Sequence, residues 1–104
     1  MKLYISQRNG KASAVGEYDP KTKKMIVLKG STVSDDVARS TTFRGTKAIE
    51  QHREAVVKKG VVVFDIAFKS SSTAANFVTG RSSNGLIVWK DKDGRTLKEI
   101  LSEG

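Results

Sequence analysis

The hydrophobic pattern changes period along the chain, and each change marks an element. Residues 2–7, KLYISQ, put Leu3 and Ile5 on one face of an extended segment. Asn9-Gly10 follows, a dipeptide suited to positive φ in a two-residue hairpin, and KASAVGEY then reads as a partner strand. Asp19-Pro20 opens a turn, with proline fixing φ at its second position. KKMIVLK is almost continuously apolar at its centre, which predicts a third strand covered on both faces. Together these segments predict an antiparallel meander over about 2–29.

Residues 30–45 dilute the apolar pattern with Ser31, Thr32, Ser34, Ser40, Thr41 and Thr42 and read as a loop, with a short strand or turn near Val33 and Val37. The period then becomes helical. Ile49, His52 or Arg53, and Val56 recur at helix spacing, Thr46 is the N-cap, and Lys58, Lys59 and Gly60 close the segment. VVVFDIAF returns to a period of two, with Val62, Phe64, Ile66 and Phe68 on one face. SSSTAANFVTG predicts a short helix capped by Ser70 and stopped by Gly80. Asn84-Gly85 is a turn, LIVWK a strand, DKDG a turn, and RTLKEILSE a terminal helix with Leu97, Ile100 and Leu101 inward. The sum is an α+β fold: an antiparallel sheet of about five strands with about three helices. It is a single compact domain over 1–104, its meander at about 2–29 and its helix-strand-helix-strand-helix part at about 45–103.

Composition supports one ordinary globular domain: 104 residues, 38% hydrophobic and 29% charged. With no cysteine, disulfides and thiolate metal sites are excluded, which fits a reducing, cytoplasmic setting. The apolar patch at Leu3–Ile5 is far short of a ~20-residue span, so no membrane association is expected. The formal net charge is +8. Residues 1–30 carry seven basic and two acidic groups, and the excess shrinks toward the C-terminal end. A field of this sign attracts DNA and other polyanions without specifying a sequence, and it also keeps a plain soluble domain dispersed.

The reactive residues do not assemble a catalytic set. His52 is the only histidine and sits on a helix with an apolar stripe, as a boundary or surface residue. There is no G-x-S-x-G elbow. Asp91-Lys92-Asp93-Gly94 places glycine too early for a calcium loop, and Asp35-Asp36 reads as a loop or helix start. Gly80 and Gly85 stand at P-loop spacing, but Leu86 and Ile87 replace the Lys and Ser/Thr that hold phosphate and magnesium. What remains is an anion site. Ser70, Ser71 and Ser72 open a helix whose first amides are phosphate donors, Lys69 precedes it, and Arg81, Ser82, Ser83 and Asn84 follow it. Lys90 and Lys92 flank the end of the following strand. The same residues are equally readable as an ordinary capped helix with solvated basic neighbours. Trp89 alternates with Ile87, which assigns it to the core rather than to a stacking platform.

Phe68, Ser70, Ser72, Ala74, Ala75, Gly80, Arg81, Asn84, Gly85, Trp89, Lys90, Asp93, Gly94 and Leu97 follow the pattern F-x-S-P-S-A-A-A, Gly-Arg, N-G-W-x-x-W-K, D-G-x-x-L. Upstream, Gly16, Tyr18, Val27, Leu28, Lys29, Gly30 and Ser31 match as well. This resembles a small bacterial domain of unknown function often appended to GIY-YIG endonucleases and other restriction-system proteins, related to the restriction-adenine-methylase-associated domain. Two positions depart from the pattern: Ser71 stands for proline and Leu86 for the first tryptophan. The resemblance implies a noncatalytic accessory module that touches DNA beside a nuclease or methylase. No cofactor is implied. A protein-interaction or scaffold domain is the alternative.

Overall fold

The computed structural model of the chain describes residues 1–6, 12–34, 54–80 and 83–103. Strands β1 (Lys2–Ser6), β2 (Ser13–Tyr18) and β3 (Met25–Val27) form the expected antiparallel meander, with Leu3 opposite Gly16 and Gly16 opposite Val27. Period-two alternation sends Leu3, Ile5, Ala14, Tyr18, Met25 and Val27 inward, while Lys2, Tyr4, Ser6 and Ser13 face out. Ile26 is exposed too, which corrects the expectation that β3 is covered on both faces. The apolar run MIV alternates in burial, Met25 and Val27 inward and Ile26 outward. The Asn9-Gly10 turn lies outside the described residues. At the next turn the Asp19 carboxylate accepts the Lys21 amide at 2.9 Å.

The segment expected to be one helix to Gly60 is helical at 54–56 and then becomes a hairpin, β4 (Val57–Lys58) and β5 (Val61–Val62). The physical reason is at the turn. Lys59 and Gly60 both hold positive φ, 52° and 79°, as a type I′ hairpin turn requires. Gly60 is therefore a turn residue rather than a helix stop, and Lys58 and Lys59 do not sit on a helix end. Thr32 bridges Ser13 on one side and Val61 on the other, so the small hairpin continues from the N-terminal half of β2.

The predicted strand over 61–68 is broken. The Asp65 carboxylate accepts the Lys29 amide at 2.8 Å, and the Val63 amide donates to the Val56 carbonyl at 2.8 Å. The second bond extends the β4–β5 ladder and the first draws Asp65 aside, so the chain bends between them and Phe64 is 64% exposed instead of on the face shared by Val62 and Phe68. Pairing resumes at β6 (Ile66–Phe68), which lies antiparallel to β3 and completes the order β1-β2-β3-β6.

Helix α1 (Ser71–Thr79) has the expected Ser70 cap and left-handed Gly80 end. LIVWK, by contrast, is not a strand. Helix α2 (Gly85–Val88) occupies most of it, because the Asn84 side chain accepts the Leu86 amide at 3.0 Å and starts a helical turn. Only Lys90 keeps strand pairing, exchanging hydrogen bonds with Tyr4 at 2.7 and 3.0 Å. Helix α3 (Leu97–Glu103) begins with a reciprocal cap, the Glu99 amide donating to Thr96 Oγ1 at 3.2 Å and Glu99 Oε1 lying 3.2 Å from the same hydroxyl. Leu97 is buried and Ile100 packs against the core, but Leu101 faces out, which corrects its inward placement. The domain is α+β: among the described residues, a four-stranded antiparallel sheet and a two-stranded ladder, with helix α1 packed against β2, β3 and β6.

Candidate nucleic-acid interface

The described serines and asparagines of 70–84 hydrogen-bond within the segment from Ser70 to Trp89. Ser70 Oγ accepts the Thr73 amide at 3.1 Å. Ser72 Oγ accepts the Gly85 amide at 3.0 Å. Asn76 Oδ1 accepts the Ser83 amide at 2.8 Å, and the Ser83 and Thr79 hydroxyls lie 2.8 Å apart. The Trp89 indole N–H donates to the Ser71 carbonyl at 2.9 Å. These bonds lay the start of α2 across the first turn of α1. Gly85 comes so near that a Cβ there would sit 2.3 Å from the Ser71 carbonyl carbon and 2.4 Å from the Ser72 nitrogen. The α1 N-terminus therefore carries the Ser70 cap and the Gly85 backbone against its first amides.

Trp89 is completely buried, and its ring would lie 3.0 Å from a Cβ at Gly16. Its core placement agrees with the sequence, but the alternation behind that expectation does not. Ile87 is 44% exposed, on a helical turn rather than the buried face of a strand.

The cations take no part in the hydrogen bonds of this joint. Lys69 is exposed at the bend before α1. Lys90 and Lys92 are exposed and line an open groove of about 510 Å³ with Tyr4 and Ser6 of β1, Thr79 of α1, and Ile87 and Val88 of α2. Neither lysine is ion-paired with another described residue. Asp91 also lines the groove, but its carboxylate accepts the Arg95 and Asp93 amides, each at 2.9 Å, and pairs with Arg95 Nε at 2.8 Å. The Arg95 amide and guanidinium, with the Asp93 amide, hold that carboxyl below the usual aspartate range despite opposing desolvation. The groove thus presents two uncompensated lysines beside an acid already neutralised.

Of the sequence-selected residues, Ser70, Ser72, Ser83 and Asn84 gather at the α1–α2 joint and Lys90 and Lys92 at the groove. Lys69 is not among the groove's lining residues. Arg81 and Ser82 lie outside the described residues, as do His52 and the Asp35-Asp36 pair. Sequence reasoning missed Tyr4. Its signal was present in the alternation, since a residue between inward Leu3 and Ile5 must face the other way.

A family model for a domain of unknown function, DUF4357, matches residues 3–101. The chain belongs to that family. No curated protein and no solved structure matches it. Within the DUF4357 match, the residues of the C-terminal signature are largely structural in this chain. Ser70 caps, Ala74 and Ala75 are buried, Gly80 ends α1, Gly85 permits the helix contact, and Trp89 and Leu97 fill the core. Leu86 is 38% exposed, so its side chain is not needed to fill the interior. Among the described residues no group of His, Cys, Asp and Glu is placed to hold a metal, and no helix is long and apolar enough to cross a membrane.

Proposed function

We propose that this DUF4357 domain is a noncatalytic accessory module that binds nucleic acid, DNA by preference, through its phosphate backbone. The observation that carries this reading is the groove, where Lys90 and Lys92 have no acidic partner among the described residues and Asp91 is held by Arg95. The +8 charge brings a polyanion to the surface, and exposed Lys69 adds a further contact. The α1 start contributes less than the sequence suggests, because Gly85 and Ser72 already use part of it.

The resemblance of the signature over 68–97 to domains appended to GIY-YIG endonucleases supports a place beside a nuclease or methylase of a restriction system, in the cytoplasm. Contacts to phosphate position a chain without reading bases, so sequence preference is slight. Fluorescence anisotropy with random-sequence oligonucleotides at graded salt tests the reading. Binding at low salt that weakens steeply as salt rises is the expected result. Joint reversal of Lys90 and Lys92 to glutamate should remove it while the melting temperature holds. The absence of binding at low salt, or binding indifferent to salt, favours instead a protein-docking role for the exposed Leu86 and Ile87.

A further inference from the structure

We infer that the groove takes single-stranded nucleic acid, with one base stacked on Tyr4 and the adjoining phosphates on Lys90 and Lys92. The inference rests on the nucleic-acid reading above and assigns that site its substrate class.

Tyr4 is an aromatic side chain 38% exposed on the sheet face opposite buried Leu3 and Ile5. Its register partner is Lys90, and the two residues exchange both backbone hydrogen bonds, Tyr4 N–H to Lys90 O at 2.7 Å and Lys90 N–H to Tyr4 O at 3.0 Å. Directly paired antiparallel residues project from the same face with Cβ atoms about 5 Å apart. A ring and a cation are therefore presented side by side by rigid backbone. The groove beside them, about 510 Å³, lies within the ~300–1,000 Å³ range of small-molecule pockets and has room for a nucleotide. Ile87 and Val88 make one wall apolar, and Lys92 adds a second cation at the mouth.

Aromatic ring, apolar wall and unpaired lysines are the parts of a single-strand site, where bases stack without regard to sequence and phosphates run along the charge. In a duplex the base faces are already stacked on one another, so the ring is usable only by an unpaired strand.

The decisive comparison uses the full chain with a fluorescent oligothymidylate, the matching oligouridylate and a duplex of equal length. Oligothymidylate or oligouridylate should bind more tightly than the duplex. Tyr4→Thr removes the π face while keeping a residue suited to an exposed strand, and should weaken single-strand binding by about 5- to 150-fold. Its salt slope should be unchanged, because no phosphate contact is lost. Tyr4→Trp should retain or improve affinity. Lys90→Ala with Lys92→Ala, a milder change than charge reversal, should flatten the slope instead. Single-strand binding that Tyr4→Thr leaves within twofold, or a duplex bound as tightly as the single strand, overturns this inference and leaves the phosphate reading standing. No binding of any of the three at low salt overturns both. Should Tyr4→Thr not fold, Tyr4→Val supplies the same contrast.

Discussion

Gly85 and Trp89 show how much of this fold hangs on single atoms. A methyl group at Gly85 would fall against the Ser71 and Ser72 backbone, which cannot swing aside as a side chain could. Gly85→Ala is therefore expected to destabilise by about 1–3 kcal/mol or more, seen as a lower urea midpoint. Trp89 fills the space over Gly16 and donates its N–H to the Ser71 carbonyl. Its truncation to alanine should cost about 3–5 kcal/mol, a large part of the total stability of a domain this size. The opposite sign is expected at Lys59, a non-glycine residue at φ 52°. Asn tolerates that conformation, so Lys59→Asn should stabilise by roughly 1 kcal/mol and raise the melting temperature.

The elements legible in the sequence were those whose signals agree. β1 alternates and β3 is a short apolar run set between turn residues, and α1 has serine before it and glycine after it, so pattern and punctuation point the same way. The misread elements carry conflicting signals. LIVWK has strand composition, yet Asn84 caps it into a helical turn. The helical period before Gly60 gives way at Val57 because a two-residue turn lets β4 pair with β5. Phe64 follows the period of its segment, but Asp65 is recruited by the distant Lys29 amide, a contact no local pattern announces. The turn into α3 offers a test by pH. The Asp91 carboxyl is held low by the Arg95 amide and guanidinium and the Asp93 amide, so the folded state favours the ionised form. Its contribution is complete above the ordinary aspartate value of about 3.9 and is lost as pH falls through the lowered folded value. Asp91→Asn should thus lower the melting temperature at pH 7, and the gap to the parent protein should close in acid below about pH 4.

At the scale of the whole molecule, the proposed binding at the groove should show a measurable salt dependence. If Lys69, Lys90 and Lys92 each neutralise one phosphate, the log–log slope should be about −2.7 for duplex DNA, and a fourfold rise in salt should weaken binding about 40-fold. For a single strand the corresponding slope is about −2.1. The candidate site itself was only half legible. Charge and the basic residues could be read directly, but Tyr4 and Lys90 stand 86 positions apart. Their pairing depends on the C-terminal segment folding back to the edge of β1, and no spacing rule reports that.

The same return has a consequence for biosynthesis. The inward side of the meander is covered by residues that emerge from the ribosome long after it, above all Phe77, Trp89 and Leu97. At about 5–20 residues per second, the seventy residues between Val27 and Leu97 take roughly 4–14 s to synthesise. Through that interval Leu3, Tyr18 and Met25 have strand partners but no roof, and the free margin of β1 has nothing to zip onto. Nascent chains stalled before Trp89 should accordingly be cut by protease and held by chaperones, and chains stalled well beyond Leu97 should resist.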